Sequence, residues 1–152
     1  MMTKELKKVL LVRCSLEVEN RFQKIKKVLD DIKVSLLEES KSSAGDKHET
    51  GRAMLQIERE NAGHQLREIE NLQLLIRKID ILTVSDYARL GSLIYTNQGI
   101  YFISISIGEI KVEDENYYCI ALHSPIGNFL AGKKKADTFI FNKREFKILM
   151  IK

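Results

Sequence analysis

Tryptophan is absent from the chain, and aromatic residues make up only 7% of its 152 residues. A cleft that grips proline is lined by aromatic rings, so a prolyl isomerase is poorly provided for. Tyr95, Tyr101, Phe102, Tyr117 and Tyr118 read instead as core and strand surface. There are two cysteines, Cys14 and Cys119, far apart and without metal-ligand spacing. Neither has a histidine base at a recognisable spacing, which argues against acyl transfer, and each reads as a small buried hydrophobe. No Gly-rich phosphate loop, dinucleotide fingerprint or Ser/His/Asp pattern occurs. No apolar run approaches the length of a transmembrane helix. The start, Met1-Met2-Thr3-Lys4-Glu5, leads into mixed charged and apolar residues instead of a signal-peptide core. A cytoplasmic protein with no membrane partner is expected.

What is present is charge in helical rhythm. Charged residues make up 30% and apolar residues 44% of the chain, with a net charge of +4. The sole proline is Pro125, and no glycine precedes Gly45, so nothing breaks a helix over residues 4 to 41. Along it Leu11, Val18, Phe22, Ile25, Leu29, Ile32 and Leu36 recur in steps near three and four, the seam of a coiled coil. Leu10, Val12, Val28, Val34 and Leu37 are expected to widen that stripe. At about 1.5 Å per residue such a helix is roughly 50 Å long, too long to be buried in so small a protein. Lys4, Lys7, Lys8, Arg13, Arg21, Lys24, Lys26, Lys27 and Lys33 crowd the same stretch. They form either a solvated face or a stripe that lies near phosphates held by a partner.

A second helix is expected over residues 46 to 81, with its best apolar series at Leu66, Ile69, Leu72, Ile76 and Ile79. Towards its start the series thins to Met54, Ile57 and Ala62, and Gly63 costs about 1 kcal/mol against alanine. The half of the hairpin far from the sheet should therefore be the looser half. His64 reads as a half-exposed seam residue. Between the helices, residues 42 to 51 hold no aliphatic side chain larger than alanine and allow a tight reversal. Asp46 and Glu49 stand three apart on one side of the first turn that follows. Two readings stay open. The pair is a capping box that starts an ordinary helix, or it is two carboxylates carried at a tip to hold a hard cation such as Mg²⁺ in company with another macromolecule. His48, between them, is a third candidate ligand.

Composition changes at Thr83-Val84-Ser85-Asp86, which divides the chain into a helical hairpin over residues 1 to 82 and a strand-rich domain over residues 83 to 152. Leu93 to Thr96 and Ile100 to Ile107 read as strands about the turn Asn97-Gln98-Gly99. Tyr117 to Leu122 reads as a third strand, Ser124 to Gly132 as a short helix, and Thr138 to Phe141 with Phe146 to Ile151 as a closing hairpin.

Gly45-Asp46-Lys47-His48-Glu49 resembles the tip motif of the Gre transcript-cleavage factors, whose two functional acids fall on Asp46 and Glu49. Thr50, Gly51, Arg52 and Ala53 stand where that family carries Asn, Ala, Glu and Tyr. The segment from Ser124 to Asp137 is similar to a Ser-Pro-led segment of the same family, with Ala136 in place of its usual glycine, and Gly91-Ser92-Leu93-Ile94 matches the start of its sheet. The resemblance implies an α+β chain: a long antiparallel coiled-coil hairpin followed by a small FKBP-like sheet domain with one short helix. It implies a monomer that docks on bacterial RNA polymerase through Ser124, Pro125 and Ile126. The tip then enters the secondary channel, where Asp46 and Glu49 share the polymerase's second Mg²⁺ and nascent RNA is reached only indirectly. Such a protein is not itself an enzyme: it stimulates the polymerase's own hydrolysis of backtracked RNA. The altered residues 50 to 53 leave a second implication open, a channel binder that inhibits or retunes polymerase without cleavage.

Overall fold

The computed structural model describes the backbone of residues 1–41 and 45–152, and the side chains of residues 1–40 and 49–152. The chain is mixed α+β. Helices α1 (Thr3–Lys41) and α2 (Gly45–Lys78) come first. Six strands follow: β1 (Leu93–Thr96), β2 (Gly99–Ser104), β3 (Gly108–Val112), β4 (Glu115–Ala121), β5 (Thr138–Phe141) and β6 (Arg144–Ile151). A short helix, α3 (Pro125–Leu130), lies between β4 and β5. The chain divides into two compact units, Val18–Gln73 on one hand and Met1–Glu17 with Leu74–Lys152 on the other.

In the first unit the two helices pack along one narrow stripe. Val18, Ile25 and Ile32 of α1, seven apart, are buried, as are Ala62 and Ile69 of α2. This is the repeat that keeps one seam facing a partner helix. Phe22, Leu29 and Leu36 flank it half-buried. The expected widening does not occur: Val28, Val34 and Leu37 are exposed, Leu37 at 55%. Two helices offer each other one seam, and side chains a third of a turn away have nothing to pack against. Arg52 Nη1 of α2 donates to Ser40 Oγ of α1, which fixes the antiparallel pairing near the turn. No residue from 33 to 40 or from 49 to 61 is buried.

The second unit contains the base of α1, the end of α2 and the sheet. Here the buried face of α1 is Leu6, Lys7, Leu10 and Cys14; Leu11, expected in the seam, is half-buried and Val12 exposed. The helix end falls at Lys78, three residues short of the expected one, with Arg77 and Lys78 in the last turn favouring its C-terminal dipole. Asp80 then caps a turn, its Oδ1 accepting from Leu82 N at 2.8 Å and Thr83 N at 3.2 Å. Gly91 is required there: its φ is +90° and a Cβ would lie 2.4 Å from the Asp80 carbonyl oxygen.

The strand order is β3-β4-β2-β1-β6-β5. The turn at Asn97 and Gln98 joins β1 to β2 antiparallel, with Thr96 opposite Gly99. Asn142 and Lys143 join β5 to β6 with φ of 51° and 62°, the left-handed pair of a two-residue hairpin. Two features depart from expectation. The strand read as Ile100–Ile107 ends at Ser104, and Gly108–Val112, not anticipated, is an edge strand with one buried residue, Ile110. Also, β4 inserts between β3 and β2 and runs parallel to β2, with Phe102 beside Cys119. One face of the sheet holds Ile94, Ile103 and Ile148 with Leu130 of α3 and with Ala88, which precedes β1. The other presents Phe102, Ser104 and Cys119, and it is Ser104 that Cys14 of α1 reaches.

Candidate functional site

Two places are expected to act, the turn between the long helices and the start of α3. At the turn, α2 begins at Gly45, so Asp46 and Glu49 lie within its first turn and a half. Acids there are favoured by the helix dipole. Glu49 is exposed. The side chains of Asp46, Lys47 and His48, and residues 42 to 44 altogether, lie outside the described residues. Behind Glu49, Gly51 faces Glu39 of α1, since a Cβ there would lie 3.4 Å from Glu39 Oε1. Among the described residues no group of three His, Cys, Asp or Glu side chains is placed to hold a metal ion. Two carboxylates fill part of the octahedral shell that Mg²⁺ demands. The donor set therefore fits a cation held mainly by something else.

At α3 the cap is built in full. Ser124 has extended backbone (φ −70°, ψ 163°), and its Oγ accepts from Gly127 N at 3.1 Å. The same hydroxyl donates to the Ala121 carbonyl at 2.7 Å. Pro125 occupies the first helical position, where its missing N–H costs nothing. Pro125 is exposed, whereas Ile126 is half-buried against the core of Ile94, Ile103 and Leu130. Ser124 is thus committed to the cap, and Pro125 is the member of the trio that faces water. A Cβ on Gly127 would lie 2.1 Å from the Ala121 carbonyl oxygen, so the helix docks on the end of β4 only with glycine at this position. Further along the segment, Ala136 has φ 76°, and its N–H donates to Ile148 O at 2.8 Å. That left-handed backbone is the reason glycine would suit the position.

Compared with family models and with curated proteins, this chain matches none.

Other candidate residues separate by burial. Cys14 and Cys119 are fully buried free thiols in contact with each other and with Ser104. The Cys119 thiol donates to Cys14, which pulls Cys14 down and, with burial, pushes Cys119 up. Shared burial, with no histidine partner among the described residues, suits packing better than nucleophilic chemistry. His64 is exposed and pairs with Arg67 one turn on. Of the basic residues on α1, Lys4, Lys8, Arg13, Lys24, Lys26, Lys27 and Lys33 are solvated. Lys7 is buried, its ammonium pushed below the usual lysine range by burial and by Arg89, against the opposing pull of Asp80. No described helix is long and apolar enough to cross a membrane. Sequence reasoning missed a row of aromatic rings on the sheet, formed by Tyr101, Phe139 and Phe146 with neighbours at both ends. Its members are scattered from Tyr101 to Phe146, so only strand pairing assembles them.

Proposed function

We propose that this chain is a Gre-like elongation factor acting in the cytoplasm as a monomer on bacterial RNA polymerase, with its sheet domain an FKBP-like docking module. The observation that carries the reading is the segment Ser124–Asp137. Its resemblance to the family is the longest in the chain, and its matching residues have clear physical roles. Ser124 caps, Pro125 starts the helix, and Leu130 is fully buried. Support comes also from the order of parts, with two long paired helices, acids at the start of the second, and then a sheet with one short helix.

In this reading the exposed Pro125 edge of α3 meets the polymerase. Glu49, with Asp46, is presented where the polymerase holds its catalytic Mg²⁺, which supplies the Lewis acidity for hydrolysis of the RNA phosphodiester. The chain's own part is to add carboxylate charge beside that ion and to position water by accepting its hydrogen bonds. A second reading, binding in the channel without cleavage, is favoured by one observation. Gly51 and Arg52 replace the alanine and acid of the family motif, and Arg52 is engaged with Ser40.

The deciding experiment adds the protein to a stalled elongation complex and follows RNA length. Shortened RNA is expected, with activity falling at least about tenfold in Asp46→Asn and Glu49→Gln while polymerase binding persists, since α2 begins at Gly45, ahead of both residues, and each replacement keeps the size of the acid and leaves the sheet domain untouched. Binding without shortened RNA leaves the modulator reading in its place. Absence of binding removes both. Pro125→Asn should weaken binding without unfolding the domain.

A further inference from the structure

Phe129 of α3 stacks on Phe139 of β5 (ring centroids 5.7 Å apart, 17° between planes), and Phe139 stacks on Phe146 of β6 (4.9 Å, 8°). The row continues through Tyr101 of β2 at 6.3 Å to Tyr118 of β4, stacked on Tyr101 at 5.4 Å. Phe141 packs against Phe129 and Phe146. The row crosses one face of the sheet, and Phe129 at its end keeps 42% of its surface in water. Isolated exposed aromatics are ordinary. Tyr101 is tilted 55° from Phe146, so the near-parallel stack is Phe129, Phe139 and Phe146, and its exposed terminal ring is a surface on which another flat ring can stack.

The Phe129 end of the row is bordered by bases, while at the far end Glu109 pairs with Tyr118. Lys133 Nζ lies 6.0 Å from the Phe139 ring centre. Arg144 pairs with Phe141 across β5 and β6, which puts its exposed side chain on the aromatic face. Residues 133–152 contain seven Lys and Arg against Asp137 and Glu145, a net of +5; with +4 for the whole chain, the remaining 132 residues sum to −1. Neither acid opposes the row. Asp137 accepts from Lys134 N at 2.8 Å, and Glu145 pairs with Ile140 on the opposite face.

We infer that this face binds single-stranded nucleic acid, a base stacking on Phe129 while Lys133 and Arg144 hold flanking phosphates. Aromatic platforms with basic borders take single strands because every base has a π-face, and duplexes offer none along their sides. An acidic peptide satisfies the charge but makes no use of the ring ladder. The inference does not rest on the polymerase reading, and its test uses the free full-length chain.

Fluorescein-labelled oligo(dT) and oligo(rU) of about ten nucleotides are titrated and followed by anisotropy at low salt, beside a duplex of equal length and with polyglutamate as competitor. Saturable binding is expected for both single strands, at least about fivefold tighter than for the duplex. Phe129→Leu keeps the apolar contact without a ring and should weaken binding about fivefold or more, in line with about 1–3 kcal/mol per stacked base. Lys133→Ala and Arg144→Ala should each flatten the logarithmic salt dependence by about 0.7. A difference between the dT and rU arms distinguishes DNA from RNA as the preferred strand. The inference is overturned by absence of saturable binding, by equal affinity for duplex, by full affinity in Phe129→Leu with an unchanged thermal melt, or by displacement with polyglutamate as effective as with unlabelled oligonucleotide. Arg144 is exposed, so its variant keeps the test valid should Phe129→Leu disturb the fold.

Discussion

The two compact units bury their apolar residues in different ways. In Val18–Gln73 the buried set is a single file, Val18, Ile25, Ile32, Ala62 and Ile69, none of them completely sealed. In Met1–Glu17 with Leu74–Lys152, by contrast, Leu10, Leu93, Phe102, Ile103, Ile105, Leu130 and Ile148 are wholly excluded from water. Two helices have one mutual seam, whereas a sheet covered on both faces has two interiors. A chain can therefore keep one unit tightly cored and the other marginal, and local opening should follow that division.

The largest expected effect tests this contrast directly. Phe102→Ala should cost about 3–5 kcal/mol, as for a sealed core aromatic, while Ile32→Ala should cost near the lower end for its class, about 2 kcal/mol. Chemical denaturation gives the totals, and amide exchange shows where each is lost. Equal losses would mean that the hairpin seam is held as firmly as the sheet, and the comparison would fail.

Smaller changes should move each unit upward by itself. In the hairpin, a Cβ on Gly63 would meet only Arg67 Nη1, at an ordinary 3.7 Å. Gly63→Ala should therefore add about 1 kcal/mol to helix stability, read as slower amide exchange along α2. In the sheet unit the reverse replacement is favourable. Ala136 at φ 76° bears a strain of about 1–2 kcal/mol that glycine lacks, partly offset by glycine's greater freedom when unfolded. Ala136→Gly should add roughly 0.5–1 kcal/mol, seen as a higher melting temperature. Were Gly63→Ala instead to destabilise, the glycine would have a packing role the seam does not reveal.

The smallest effect is in acid. Hydrogen bonds from the Thr83 hydroxyl and from the Leu82 and Thr83 N–H groups hold the exposed Asp80 carboxyl at about 2, below its ordinary 3.8. A carboxyl depressed by folding contributes stability that is fully present above its ordinary value and is lost as pH falls towards about 2. Wild type and Asp80→Ala should thus differ most above about pH 4 and converge as the pH falls towards 2, measured by thermal melts across that range.

Much of the helical half was legible, because a seven-residue repeat free of proline, and in α1 of glycine, permits little else. The strands Leu93–Thr96 and Thr138–Phe141 were legible too, but the last strand was read from Phe146 after a turn of Asn142 to Glu145, whereas the turn is only Asn142-Lys143 and β6 begins at Arg144. Strand β3 was not, since Gly-Glu-Ile-Lys-Val buries only Ile110 and an edge strand shows weak alternation. The parallel pairing of β2 with β4 was equally hidden, because residues near in sequence favour hairpins and nothing local announces an insertion. At the candidate sites the acids Asp46 and Glu49 and the cap Ser124-Pro125 could be named from spacing. That Ser124 and Ile126 face inward while Pro125 faces water depended on the contacts of Ala121, Ile94 and Leu130.

By itself, then, the sequence determined the two long helices, the Asn97-Gln98 turn of the sheet and the capped start of α3. Each follows from periodicity or turn chemistry acting within a few residues. Only the tertiary structure decided that Leu10 and Cys14 and not Leu11 face inward, that Val34 and Leu37 stay in water, and that Cys14 meets Ser104 beside Cys119. It alone aligned Phe129, Phe139, Phe146, Tyr101 and Tyr118 into one row. The reason is common to all of these: a repeat fixes which residues share a face, and only the partner packed against that face fixes which of them lose their water.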